Sequence, residues 1–325
     1  MQATKKFNTN EILQKYWLLI FTILFAVVVA LVEPSFLRIG NVSSMISTAC
    51  LTAIAAAGLV CVQAIGEVDF STGAVMSWSA SMICVLLHFG HVHGYVAAFI
   101  ISILSCLLLG AFNAFCHVVL GIPAFLATLA SANVFRAFTL LLTDNTTLYK
   151  GKWDSKVFTF LGQTKLFGFL PMLFIVFLII AVIMVFLLER TKLGKCLYAV
   201  GGNPRACEYV GINQKKYKVI AFLICSVLCG VSGVLQASVA NGGGANSGDA
   251  YQFQTILVCA LGATFIKKGI SNIPGAFLGS VLLTMIANAI IMIGLPNFYQ
   301  YAAQGIVLVA AVLISVRIRA KNERS

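Results

Sequence analysis

Charge is scarce in this sequence. Asp, Glu, Lys and Arg make up 10% of its 325 residues and hydrophobic types 60%, and a soluble globule of that size cannot be covered with so little polar surface. Acids are scarcest, 10 against 22 basic residues, which leaves little beyond Glu67 and Asp69 for an ion-coupled relay. A G-x-x-x-x-G-K-[ST] phosphate loop is missing. The nearest fragment is Gly194-Lys195-Cys196, so the chain is not expected to bind ATP in that way. The ten cysteines never form C-x-x-C. They sit in apolar runs or in one basic loop and read as reduced small hydrophobes. No Ser/His/Asp, metal or paired-carboxylate constellation converges, which argues against an enzyme and predicts no cofactor on this chain. Low-complexity stretches, linkers and internal repeats are missing too, so residues 1–325 are expected to form one domain.

What the sequence has is apolar runs, at 16–32, 42–65, 71–87, 95–120, 123–142, 167–188, 218–240, 251–266, 273–293 and 298–316. Inside a bilayer such runs satisfy their backbone hydrogen bonds as helices. The expected fold class is therefore all-α, a polytopic helical membrane protein with about ten transmembrane helices. The short alternating segments of a barrel do not occur. Lys5 and Lys6 ahead of the first run resemble a signal peptide, but no A-x-A site follows and Glu33-Pro34 ends the run. That predicts an uncleaved first span. The polar stretch 66–70 interrupts what would be one long apolar region, as in a broken helix.

The net charge of +12 suits nucleic acid only if it gathers on one folded face, and here it is spread over inter-helix loops and the tail. Placing the N-terminus inside puts sixteen of the 22 basic residues in cytoplasmic segments, as positive-inside topology requires. The loop 143–166 runs against that pattern, with Lys150, Lys152, Lys156 and Lys165 outside. Both termini are then cytoplasmic. The longest inside segment, 189–217, is too polar to enter the bilayer and offers a handle for a soluble partner. Asn203 can cap a helix there, Pro204 suits its first turn, residues 205–210 continue it and Gly211 ends it. Such a capped helix is either an ordinary connector or a knob that carries a rigid push into the bundle.

Three stretches together carry a family resemblance. Gly201-Gly202-Asn203-Pro204, Ala206 and Gly211-Ile212 look like the coupling segment of ribose-type permease subunits of bacterial ATP-binding cassette (ABC) importers. Gly66-Glu67-Val68-Asp69-Phe70-Ser71-Thr72-Gly73-Ala74 is similar to that family's Gly-Gly-Ile-Asp-Leu-Ser-Val-Gly-Ser, and Ile122-Pro123-Ala124-Phe125-Leu126-Ala127-Thr128-Leu129 to its Ile-Pro-Ala-Phe-Ile-Val-Thr-Leu. Order and spacing match from about residue 40 to 316. The chain departs from the pattern at Tyr251-Gln252-Phe253-Gln254, where the family has Tyr-Glu-Leu-Asp, and at Lys267-Lys268, where it has Gly-Gly.

The resemblance implies a permease subunit in the bacterial inner membrane that imports a monosaccharide or similar small polar solute. Its partners would be ABC ATPase subunits, a second permease copy or paralogue, an extracytoplasmic solute-binding protein and the lipid bilayer, with no nucleic acid. Gly202, Asn203, Pro204, Ala206, Glu208 and Gly211 would couple it to the ATPase. The alternative is a secondary transporter driven by an ion gradient. Polar groups at membrane depth are costly, so Asp69, Asn113, Asn133, Arg136 and Asn288 are the pathway candidates. For Asp69 the competing role is a helix cap, for Arg136 snorkelling to the outer interface, and for the three asparagines interhelical hydrogen bonding. Gly275 and Gly279 form a G-x-x-x-G suited to close helix packing. His88, His91 and His93 read as a solvated turn, having no nearby carboxylate to complete a metal site.

Overall fold

The structure is a computed structural model that describes residues 9–90, 94–149, 156–265, 269–296 and 298–322. Lys5, Lys6, His91, His93, Lys150, Lys152, Lys267, Lys268 and Arg324 lie outside the described residues. Thirteen helices follow one another among the described residues: α1 (Thr9–Val32), α2 (Ile39–Ala64), α3 (Thr72–His88), α4 (Tyr95–Ala114), α5 (Ala124–Leu142), α6 (Lys156–Gln163), α7 (Met172–Arg190), α8 (Lys192–Gly202), α9 (Pro204–Tyr209), α10 (Gln214–Ala240), α11 (Asp249–Gly262), α12 (Ile273–Met292) and α13 (Phe298–Asn322). Short strands join the loops at one end. β1 (Leu148–Tyr149) pairs antiparallel with β4 (Gly242–Gly243), and β2 (Lys165–Leu166) with β3 (Leu170–Pro171).

All but α6, α8 and α9 occupy the ten apolar runs. Among the described residues six helices are long and apolar enough to cross a bilayer: α2, α4 with the π-helical turn Phe115–Val119 that extends it, α5, α7, α10 and α12. Helix ends depart from the hydropathy where polar residues continue a helix, as at Gln214 ahead of the apolar part of α10. The sixth run begins five residues late, at Met172, because Phe167 and Gly168 adopt φ of +52° and +79° and turn the chain between β2 and β3.

The core forms around α2, buried along nearly its whole length, with α10 packed on α2, α3 and α4. Small residues let these backbones approach: a Cβ at Gly58 would stand 2.9 Å from the Cys225 Cα on α10. Gly275 and Gly279 play the same part between α12 and α11, where a Cβ at Gly279 would meet the Val258 carbonyl at 3.1 Å. The G-x-x-x-G seam is therefore internal to the chain. Large aliphatic side chains face outward on α1, α4 and α7, among them Leu31, Leu108 and Val182, as lipid contact requires. All ten cysteines are free thiols and nine are buried.

Candidate functional site

At one end of the bundle, α9 is built as its sequence predicts. The Asn203 Oδ1 accepts from the Ala206 N–H at 3.0 Å, Pro204 holds the first turn, and Gly211 at φ +72° lets the Ile212 N–H reach back to the Cys207 carbonyl at 2.8 Å. Cys207 is buried and anchors the helix, while Gly202, Asn203, Pro204, Ala206, Glu208 and Gly211 are all exposed. Tyr209 and Val210 project furthest, 91% and 71% exposed. The Gln214 amide donates to the Pro204 carbonyl at 2.8 Å and to Glu208 Oε1 at 3.1 Å, tying α9 to the first turn of α10. Sequence reasoning missed α8, which is capped by Thr191. Gly201 near its end has no room for a Cβ against the Ala64 carbonyl of α2.

An ion cluster lies on the same end. Glu67 Oε1 accepts from Lys218 Nζ at 2.9 Å and sits 3.1 Å from His117 Nε2, and Lys218 Nζ lies 3.1 Å from that nitrogen. His117 Nδ1 stands 2.9 Å from the Ile122 carbonyl, so Nδ1 carries a proton. The hydrogen bond from His117, reinforced by Lys218 and opposed by partial burial, holds the Glu67 carboxyl down at about 2. Three separated segments are thus joined: the α2–α3 break, the turn after α4 and the second turn of α10. Sequence reasoning named Glu67 but not its partners. The available signal was that Lys218, His117 and Glu67 all fall at run ends assigned to one face. Beside the cluster a cleft of about 530 Å3 opens between the end of α2, α8 and the α11–α12 connection, with Glu67, Tyr198 and Ser271 in its wall.

The candidates Asp69 and Asn113 meet in the interior. Asp69 Oδ1 accepts from the Ser71 N–H at 2.7 Å and from its hydroxyl at 2.6 Å. Asn113 Nδ2 donates to Ser71 Oγ at 2.7 Å, and the Ser131 hydroxyl donates to Asn113 Oδ1 at 2.5 Å. Thr128 accepts from the Phe70 N–H at 2.9 Å. All of these side chains but Phe70 are at most 2% exposed, so the network seals the α2–α3 break against α4 and α5. Asp69 caps no N–H of α3 itself: it accepts from Ser71, the residue just before that helix.

Arg136 and Asn133 are placed otherwise, on the outward face of α5. Arg136 donates from Nη2 to Asn246 Oδ1 at 2.6 Å and pairs through Nη1 with Asp249 Oδ2 at 3.2 Å, their side chains 46% and 44% exposed. It does not snorkel freely, because the α10–α11 loop brings Asn246, and the start of α11 brings Asp249, to it. Asn133 donates back to the Leu129 carbonyl at 3.0 Å. A recess of about 380 Å3 here is lined by Asn133, Arg136, Asp249 and Gln252 among others. Arg136 lies six residues, about 9 Å, before the end of α5 at Leu142, and an exposed charge on so apolar a helix needs water or protein beside it. The sequence offered Asp249 as one of few acids but gave no sign of its partner 113 residues away.

Asn288 is committed elsewhere: its amide and that of Asn41 exchange two hydrogen bonds of 2.9 Å, joining α12 to α2. That is the interhelical role set beside solute contact in the sequence. His88 ends α3. No group of three metal-ligating side chains occurs among the described residues.

The family described as branched-chain amino acid transport system / permease component matches residues 41–312. The chain is similar to the ribose import permease protein RbsC of Bacillus subtilis (strain 168), 27% identical with 95% of each chain covered. It is equally similar, at 27%, to the autoinducer 2 import system permease protein LsrC of Yersinia pseudotuberculosis (serotype O:3, strain YPIII), over 95% of this chain and 86% of that one. Among solved structures, a metal-chelate type ABC transporter in an inward-facing conformation shares the fold, with a TM-score of 0.55, 15% identity, and 92% and 98% of the two chains covered.

Proposed function

We propose a function that proceeds from one fact: the chain belongs to the branched-chain amino acid transport system / permease component family. It is a multi-pass membrane permease subunit of an ABC importer, a transporter component and not an enzyme. Separate ATPase subunits drive it and a solute-binding protein feeds it. All ten apolar helices cross the membrane from a cytoplasmic N-terminus to a cytoplasmic C-terminus, in one domain. The segment 189–217 then faces the cytosol, and Gly202, Asn203, Pro204, Ala206, Glu208 and Gly211 form the ATPase coupling surface.

The observation that carries this reading is α9: a capped helix outside the apolar bundle, with Tyr209 and Val210 bare at its tip and Gln214 tying it to α10. A helix so fixed moves as a body and pulls α10 with it. The exposed strip of Asn133, Arg136 and Asp249 is the chain's side of the translocation pathway, facing a second permease copy or paralogue. The solute is a monosaccharide or similar small polar compound, a reading supported by the ribose and autoinducer 2 import named for the relatives. The family and the import systems named for the relatives support this reading and not an ion-gradient mechanism.

The test is reconstitution. With its ATPase and binding protein in proteoliposomes, the chain is expected to take up a neutral sugar only with ATP. Tyr209→Ala or Gly211→Val is expected to cut uptake and solute-stimulated ATP hydrolysis together, with the chain still folded. Normal uptake and stimulation in both variants contradicts the coupling surface, and uptake by the purified chain alone under a proton gradient contradicts the whole reading.

A further inference from the structure

We propose that the recess at the end of the bundle away from α9 is a receiving site for an uncharged, polyhydroxylated solute of monosaccharide size. This rests on the reading of the chain as a sugar-importing permease and adds a site that reading does not contain. The recess measures about 260 Å3 and is lined chiefly by Asn145, Thr146 and Thr147, which follow α5, and by Gly244, Asn246 and Ser247, which precede α11. Pockets for drug-sized ligands run about 300–1,000 Å3, so this one suits something smaller. Its polar atoms belong to amides, hydroxyls and backbone, and among the described residues no charged side chain lines it. Hydroxyls and amides donate and accept alike, which matches a sugar hydroxyl. They do not replace the hydration of a formal charge.

The walls are held in place. Asp144 and Asn145, at φ of +49° and +54°, turn the chain out of α5. Leu148 then pairs with Gly243 and Tyr149 with Gly242, and the Gly244 N–H donates to Ser247 Oγ at 2.9 Å. The recess also leads somewhere. Ala245 lines both it and the second recess at Arg136 and Asp249, and Asn246 stands beside it in the wall of the first. The Asn246 Oδ1 already accepts from Arg136, and its NH2 group supplies donors. A solute leaving the first recess is therefore next to the Arg136–Asp249 pair, which is neutral as a unit and favours an uncharged passenger.

Two variants and two measurements test the site. Thr147→Val keeps side-chain shape and removes one hydroxyl. Gly244→Ala puts a Cβ 2.8 Å from Thr147 Oγ1 and narrows the recess. Saturation-transfer NMR on the purified chain in nanodiscs, with D-ribose, D-xylose and D-glucose against D-ribose 5-phosphate and L-leucine, is expected to give a signal for a neutral sugar and none for the charged compounds. Thr147→Val is expected to weaken that sugar about three- to tenfold, the scale of one neutral hydrogen bond, and Gly244→Ala to abolish it at unchanged melting temperature. No signal from any neutral sugar, an equal signal from the charged compounds, or unchanged signals in both variants overturns the site. ATP-driven sugar uptake by the reconstituted importer separates the two readings. Wild-type uptake in both variants removes the recess and leaves the permease assignment standing, whereas no sugar uptake by the parent chain removes the assignment itself.

Discussion

The Asp69 network and the Arg136 strip both place polar side chains among apolar helices, and they solve the cost in opposite ways. Around Asp69, Ser71, Asn113 and Ser131 every polar group meets another of the same chain with almost no exposure. Around Arg136 the charges meet Asp249 and Asn246 and still leave nearly half of each charged side chain bare. Sealed polarity fixes a helix break. Bare polarity requires water or a neighbouring subunit, which is what a pathway supplies. Depth and residue type alone therefore do not identify a pathway residue, and exposure separates the two kinds.

The largest expected effect falls on the sealed side. Asp69→Ala leaves the Ser71 N–H and hydroxyl without their buried acceptor, which is expected to cost about 3 kcal/mol. Thermal unfolding of the purified variant checks it, and a melting temperature equal to the parent's breaks the contrast. On the exposed side the same operation is expected to do the reverse. Arg136→Ala removes a pair worth about 1 kcal/mol or less to stability, yet is expected to slow uptake about tenfold in the reconstituted importer, through a lost charged hydrogen bond to solute or water. A variant that unfolds but transports normally until it does so places Arg136 with Asp69.

The smallest effect is expected at the ion cluster, between the two regimes. The folded-state pKa of Glu67 lies below its ordinary value, so its contribution to stability is complete above about pH 5 and fades as pH falls towards 2. Glu67→Gln is expected to lower the melting temperature at pH 7 by about 2 °C, as about 1 kcal/mol of ion pairing does in a chain of this size. The two proteins are expected to converge near pH 2. A gap that stays constant with pH rules out the ionised carboxylate as its source.

Much of this was legible in the sequence, and the part that was not has a common cause. The ten runs mark ten helices because apolar length is a local property. The Asn203, Pro204 and Gly211 grammar marks α9 because caps act within a few residues. The helix α8 escaped because its sequence, Lys192–Gly202, ends in two glycines and carries two lysines, a composition that reads as loop. What joins the sites is long-range: Arg136 to Asp249, Glu67 to Lys218 and Asn41 to Asn288, the last separated by 247 residues. No spacing rule reaches across such separations. The named pathway candidates therefore divided into three environments once the chain was folded, although they looked alike as polar residues in apolar runs.

The contrast between sealed and bare polarity is tested most directly by thiol labelling. Nine native cysteines are buried and only Cys196 is partly exposed, so Cys196→Ser gives a quiet background. In it, Asn133→Cys and Asn113→Cys are each placed in the assembled importer and treated with a small, water-soluble maleimide. The account predicts rapid labelling at 133 and none at 113 until the protein is denatured. Equal labelling at both positions, or labelling at 113 alone, contradicts it.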